Sequence, residues 1–347
     1  MVIRMSLTVR NAVAADTAAW DAYVLGAPAA TFFHRYGWRR VIEKGLGQPC
    51  HFLLAERDGR IEGVLPLGEV RGALFGHTLI SLPFCVYGGI VADTAEAREV
   101  LDQAAQALAV NLGVGHLEYR DRDAPAHPEW PGTDLYATFR QALDPEVEKN
   151  LLTIPRKQRA MVRKGIKAGL RSEVDRDLRR FYPAFCESWH RLGTPVFPRR
   201  YFQLVLDEFG DAVDIVTVTQ DERVVCCVMN FYFRDEVWPY YAGITASARA
   251  LAGSDFMYWE VMRLAVEKGL KVFDFGRSKI GTGSWDFKHN WGFQPQPLHY
   301  GYHLVRARAV PQNNPNNPKY RLFIKAWQHL PLPLANFIGP HIIRNLG

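Results

Sequence analysis

The stretch "KVFDFGR", Lys271–Arg277, decides how the chain is read, because its outline occurs earlier as "HLEYR", His116–Arg120. Leu117-Glu118-Tyr119-Arg120 and Phe273-Asp274-Phe275-Gly276-Arg277 both run apolar, acid, aromatic, Arg, with one glycine added in the second. The segments upstream of each repeat in the same order. "HFLLAERDGRIEGVLPLGEV", from His51, reads as strand, turn and strand, with Asp58-Gly59 as the turn. Strands over Leu79–Val91 follow. Next comes a helix in which Leu101, Ala105, Leu108 and Leu112 recur at helical spacing and Gly113 ends the run. Asp93, with Glu96 three residues on, predicts its N-terminal cap. In the second half, "DIVTVTQDERVVCCVMNFYF" from Asp214 is again strand, turn and strand, and "VWPYYAGIT" is a further strand. Ser254–Lys268 is a helix with Met257, Val261 and Leu264 on one face, and Ser254 suits its cap.

An element order that recurs about 150 residues downstream implies a duplicated domain. Hairpins leading into a helix and a last strand imply a mixed α/β (α+β) fold. Its sheets should be mostly antiparallel, flanked by helices, with few crossovers. The expected division is 1–149, 150–302 and a C-terminal stretch, 303–347. That stretch begins with the Pro/Asn linker "VPQNNPNNPKY" and continues as an apolar tail broken by three prolines, packing back on the first domain.

A chain of 347 residues fits two domains of ordinary size. The net charge of +6 favours anionic partners without choosing among phosphates, nucleic acid and membrane surfaces. Five cysteines, an odd number with no CxxC pair, argue against a disulfide framework and for a reducing compartment. The opening residues show no apolar signal core. The longest apolar run, "VVCCVMNFYF", is far shorter than the roughly 18 residues a spanning helix requires. The expectation is a cytoplasmic protein, peripheral to the inner membrane at most.

The cations are concentrated in "IPRKQRAMVRKGIKAGLR", where Arg156, Lys157, Arg159, Arg163, Lys164, Lys167 and Arg171 have no carboxylate between them. In a helix, Arg156, Arg159, Arg163 and Lys167 form one stripe. Such a stripe is either a phosphate-binding face or a solvated one. The small residues Ala250–Ser254 lead into a helix N-terminus, which is an anion site or an ordinary capped end that carries its own Asp255. No Walker loop, GxSxG, CxxC pair or HExxH occurs, and His299 and His303 lie in a strand, so no metal is expected. Asp274, between Phe273 and Phe275, is a candidate general base or a carboxylate paired with Arg277 or a backbone amide. Lys288, mobile among Trp285, Phe287 and Trp291, is a candidate stabiliser of a developing oxyanion or a lysine whose stem covers the rings.

At these residues the chain resembles the Fem-type aminoacyltransferases of peptidoglycan cross-bridges, and more closely the FemAB-like proteins of exosortase and exopolysaccharide loci. The carriers are "NLLTIPRKQRAMVRKGIKAGL", "YYAGITASARALAGSDFMYWEVMRLAVEKGLKVFDFGRS" and "DFKHNWGF". The resemblance implies two tandem GNAT-type acyltransferase domains that move an acyl or aminoacyl group onto an amine of a phosphate-bearing envelope or exopolysaccharide precursor. It implies no bound cofactor, with aminoacyl-tRNA and acyl-CoA both compatible as donor. It sets Phe287-Lys288 on the family's aromatic–lysine pair, and with the residue reading above the chemistry is expected at Lys288 and Asp274. It places the donor against Phe287, Arg277, Tyr241, Arg249, Ser254 and Trp285, and the acceptor phosphate on Arg156, Lys157, Arg159, Arg163, Lys164 and Lys167. Two alternatives remain open: an acyl-CoA-dependent N-acetyltransferase acting on an amino sugar, and a non-catalytic binder of nucleic acid or anionic lipid on a degenerate fold. The tail, with Lys319, Arg321, Lys325 and Trp327, is the candidate membrane contact.

Overall fold

A computed structural model describes residues 6–72, 76–310 and 318–346. The chain divides into two compact units: 1–134 with 298–312 and 341–347, and 135–297 with 313–340.

The first unit opens with β1 (Thr8–Asn11), α1 (Thr17–Gly26) and α2 (Gly37–Leu46), followed by the long hairpin β2 (Cys50–Arg57) and β3 (Arg60–Gly72). Asp58 and Gly59 form its turn with φ of 52° and 75°, the left-handed pair that a two-residue hairpin needs. β4 (Gly76–Ser81), β5 (Val91–Ala92), α3 (Ala95–Leu112), β6 (His116–Asp121) and β7 (Gly132–Thr133) complete this part. The helix α3 is capped by Thr94, whose hydroxyl accepts from the Ala97 amide. Asp93, expected as the cap, instead accepts from the Tyr23 hydroxyl at 3.0 Å. Leu101, Ala105 and Ala109 bury against the sheet, whereas Leu108 and Leu112 are only partly covered.

The second unit starts with β8 (Tyr136–Ala142), α4 (Val147–Thr153), α5 (Arg156–Lys167), β9 (Arg171–Asp175), α6 (Leu178–Leu192) and α7 (Arg199–Phe209). β10 (Val213–Gln220), β11 (Arg223–Phe233), β12 (Glu236–Ile244), α8 (Ala248–Leu251), α9 (Gly253–Glu267) and β13 (Val272–Asp274) follow. β14 (Ser278–Lys279), α10 (Gly283–Asn290) and β15 (Pro295–Pro297) come next. After them, β16 (His299–Leu304) joins the first sheet, and the tail forms α11 (Pro318–Gln328) and α12 (Leu332–Ile343).

The sheet orders are β1-β2-β3-β4-β6-β16-β7 and β14-β8-β13-β12-β11-β10-β9, with β5 beside β3 and β15 beside β8. In each sheet one neighbouring pair is parallel, β4 with β6 and β12 with β13. Every other pair is antiparallel, as the repeated hairpins implied. The boundaries differ from those expected at 149 and 302. β8 pairs with β13, which places it in the second unit, and β16 pairs with β6, which places it in the first. The linker falls largely outside the described residues. The tail is helical through its prolines and clusters with the second unit up to Pro340, and only its end, from His341, clusters with the first as expected.

The second sheet separates two packed faces. Cys226, Val228, Met257, Val261, Phe273, Phe275 and Trp291 form the core on the α9 side. On the other side α6 lies directly on β12, and a Cβ on Gly243 would sit 2.5 Å from the Phe185 amide nitrogen. Backbone cannot yield as a flexible side chain can, so Gly243→Ala should destabilise the protein by about 1–3 kcal/mol. Urea unfolding tests this; an unchanged midpoint would mean that α6 moves off the sheet at little cost.

Candidate functional site

The site grows from the fork between the parallel strands of the second unit. β12 and β13 pair only at Glu236–Val272 and Val237–Phe273. Beyond that, Tyr240 is bulged out of the β11–β12 register, and β13 leans to the other side, where the Phe275 amide donates to the Phe139 carbonyl on β8. A bulge bends its strand and leaves part of its backbone unpaired.

Asp274 closes the base of this fork. Its carboxylate is fully buried and accepts from the Thr138 hydroxyl at 3.0 Å and the Gly276 amide at 2.7 Å. Arg140 Nε lies 3.0 Å from its second oxygen, and the same guanidinium also pairs with Glu236. The expected backbone amide is thus the Gly276 amide, and Arg140 from β8 is a partner that the sequence did not suggest. Arg277 lies over the Tyr136 ring, 4.6 Å from its centroid. Thr138 and Arg140 went unrecognised in the sequence, since they stand on a strand 136 and 134 positions before Asp274 and only strand pairing joins them.

Gly276, at φ +68°, turns the chain just past β13 in a conformation that suits glycine. Its carbonyl and that of Arg277 accept hydrogen bonds from Lys288 Nζ at 2.9 and 3.1 Å. Lys288 is half-buried as a residue, but its ammonium is enclosed, 5.7 Å from the centre of the Phe139 ring. It is held rather than mobile. Burial pushes its pKa down to about 7; the Asp274 charge opposes that shift and Arg277 adds to it. An ammonium has three N–H donors, and two carbonyls use two of them. Lys279 nearby is pushed down to about 8 by burial and by Arg277.

The rings around Lys288 are packed against one another. Trp285 meets Phe139 edge-on at 5.0 Å, and Phe287 lies 5.9 Å from Trp291 and 5.5 Å from Tyr258. Trp291 Nε1 donates to Asp255 at 3.0 Å, tying α10 to the start of α9. Burial raises the Asp255 pKa.

Of the other residues expected at the donor, Tyr241 faces away from this group. Tyr241 is on the opposite face of β12, where its hydroxyl meets that of Tyr201 at 2.9 Å among Phe197, Phe202 and Phe185. Its neighbours Ala242 and Ile244 face the α9 core, and alternation along the strand accounts for the split. Ser254 lies inside the first turn of α9; the residue before the helix is Ala252, at φ +56°. Arg249 is in α8. The amides of this segment are used locally: Ala246 donates to Glu187, Ala248 to Thr245 and Ala252 to Arg249.

The basic run forms α5, as the spacing predicted. Val162 and Gly165 face inward, and a Cβ on Gly165 would lie 2.7 Å from Phe256 Cβ of α9. Arg156, Lys157, Arg163, Lys164 and Lys167 are exposed, and Arg159 is half-exposed and donates to the Leu152 carbonyl. None has a carboxylate partner among the described residues. A Cβ on Gly292, just after α10, would lie 3.1 Å from Pro155, so the start of α5 borders the end of the lysine helix. Two shallow hollows of about 610 and 440 Å³ lie elsewhere, one lined by Arg71 and His77, the other by Arg176 and Asp211.

The first unit has a corresponding fork that its own chain seals. β4 and β6 pair from Leu79–Leu117 to Ser81–Tyr119. Past that point the buried Arg120 is bonded to Glu118 at 2.7 Å and to the Cys85 carbonyl at 2.8 Å. The Gly88 amide returns to the Arg120 carbonyl. A Cβ on Gly88 would collide with the Ser81 carbonyl, so segment 82–88 fills the fork closely.

Two mostly antiparallel sheets with helices, each with one parallel pair, give the chain a tandem GNAT-like fold, as its likeness to solved structures shows. Residues 156–289 match a family described as an acetyltransferase (GNAT) domain, a span that takes in α5, β12, β13 and Lys288. Among solved structures the chain is similar to FemX, at 15% identity and a TM-score of 0.67, covering 92% of this chain and 100% of that one. It is also similar to a tandem GNAT protein from the clavulanic acid biosynthesis pathway, at 12% identity and 0.55, covering 89% and 100%. A third likeness is the C-terminal domain of a putative lysylphosphatidylglycerol synthetase from Agrobacterium fabrum, at 13% and 0.56, covering 83% and 92%. At such identities the likeness is one of fold. No curated protein matches the chain.

Replacing Asp274 by Asn leaves Arg140 facing a neutral amide in a dry site. Breaking a buried ion pair costs about 3–5 kcal/mol, and Glu236 should retain part of that here. Asp274→Asn should therefore lower the thermal midpoint, and Glu236→Gln added to it should lower it further. An unshifted midpoint in Asp274→Asn would show that Arg140 carries none of the load.

Proposed function

We propose that the chain is an acyltransferase that moves an aminoacyl group from an ester donor to an amine of a phosphate-bearing acceptor, with the chemistry at Lys288. The observation that carries this reading is the enclosed Lys288 ammonium, fixed by the Gly276 and Arg277 carbonyls just past the point where β12 and β13 stop pairing. The acceptor amine attacks the donor carbonyl, the carbonyl oxygen takes up negative charge, and the C–O bond to the leaving group breaks. The third N–H of Lys288 donates to that oxygen or to the departing one. The proton lost by the amine ends on the leaving oxygen. Asp274, buried and occupied by Thr138, Gly276 and Arg140, orders the site in this reading and does not take the proton. The substrates' own groups relay it.

The exposed cations of α5 are assigned to the phosphates, Arg with its fork geometry and Lys as point charge. Their support is the absence of any described carboxylate partner and their place next to the lysine helix. An envelope or exopolysaccharide precursor supplies such an acceptor, and a charged tRNA supplies the ester. The second reading, a CoA-dependent N-acetyltransferase acting on an amino sugar, would need the segment before α9 to cradle a diphosphate. Its amides at Ala246, Ala248 and Ala252 are already bonded, and Asp255 is buried at the helix start, which favours the ester donor.

Mass spectrometry of acceptor amines incubated with charged tRNA or with acyl-CoA separates the two readings. An aminoacyl mass added only with tRNA supports the first. Lys288→Met should lower turnover about 10²–10³-fold with the fold intact, the usual loss when one placed donor is removed. Because the working form is the ammonium, the rate should be highest below pH 7 and fall as pH rises through about 7. Lys288→Arg, charged throughout, should lose that fall. A wild-type rate that climbs through pH 7 would reassign Lys288 as a base.

A further inference from the structure

The two C-terminal helices have a feature that acyl transfer does not use. No acidic residue follows Asp286, while Arg306, Arg308, Lys319, Arg321, Lys325 and Arg344 do. In α11, Ile324 and Trp327 turn inward toward α6, and Gly193 leaves room for Ile324. In α12, Ala335 and Gly339 turn inward, Gly339 directly over Val196. Gln328 donates to the Arg191 carbonyl at 2.7 Å, and His190 Nε2 meets the Leu330 carbonyl at 2.9 Å. The tail is thus fastened to the second unit along one face.

The other face combines large apolar side chains with cations. Leu322 is 72% and Phe337 73% exposed, with Phe323 and Leu334 above 40%. Arg321 and Lys325 share the outward face of α11 with Leu322, and neither has a carboxylate partner among the described residues. A water-facing helix has no need of Leu and Phe there, and a protein core has no need of Arg and Lys. No described helix is long and apolar enough to cross a membrane.

We infer that this face docks the protein on an anionic bilayer surface. Leu322, Phe323, Leu334 and Phe337 would enter the acyl boundary, and Arg321 and Lys325 would meet the lipid phosphates. The occupant is chosen by charge complementarity: a surface with cations and no acids suits an anionic layer better than a second copy of the same cationic face.

The test is co-sedimentation of the full chain with vesicles of phosphatidylglycerol and phosphatidylethanolamine, and with neutral phosphatidylcholine vesicles. Binding is expected to the anionic vesicles and should weaken as salt rises. Arg321→Glu with Lys325→Glu should weaken it at least about fivefold per cation removed. Leu322→Ser with Phe337→Ser should reduce partitioning about tenfold or more while leaving the thermal midpoint in place, since both side chains are exposed. Equal binding to neutral vesicles, no binding, or binding indifferent to both double variants would overturn the inference. So would a lipid-free dimer that the Leu322/Phe337 variant dissociates, which would make the face a contact between copies.

Discussion

The site depends on one buried carboxylate. Asp274 receives the Thr138 hydroxyl and the Arg140 guanidinium from β8 and the Gly276 amide from its own turn. A charge with no access to water must be compensated on every side, and here the compensation comes from a strand distant in sequence. The same glycine that gives its N–H to Asp274 gives its carbonyl to Lys288. Strand pairing, the turn and the ammonium are therefore linked: where Asp274 is held, Lys288 is placed. Pre-placed charge of this kind is what a dry acyl-transfer site can exploit, because nothing has to reorient as negative charge appears.

The duplication has been put to unequal use. Both units carry a parallel pair that parts after a short run, with an arginine just past it and an acid within it in the first unit and directly after it in the second. In the first unit the arginine turns inward to Glu118 and to the carbonyls of Leu82 and Cys85, and the chain closes over the gap. In the second, β8 supplies an arginine to the acid, and Arg277 lies over Tyr136. The cations are unequal too: α5 concentrates positive charge near the lysine helix, where its mutual repulsion is not relieved by any described carboxylate. Repulsion of that kind is a standing cost that an arriving polyanion removes.

Local patterns carried most of the fold into the sequence. The Asp58-Gly59 turn, the α3 and α9 faces and the basic helix are all decided within a few residues, and each was legible. What escaped was set by distant pairing. Arg140 and Thr138 became partners of Asp274 only because β8 lies beside β13. Tyr241 was grouped with Phe287 on resemblance, but alternation along β12 turned it to the other face. The cap of α3 passed to Thr94, one residue beyond Asp93, whose carboxylate is taken up by the Tyr23 hydroxyl. The tail prolines suggested a broken segment, yet Pro331 and Pro333 fall around the first turn of α12, where a missing amide costs little.

The exchange of β8 and β16 has a consequence for how the chain comes into being. During synthesis the N-terminal sheet emerges first but lacks β16, which leaves the ribosome only after the 164 positions from 135 to 298. The second sheet already has all its strands once β15 is out. The later half can therefore settle before the earlier one, reversing the usual N-to-C order of domain folding, and the waiting edge of β6 is a place for chaperones to guard.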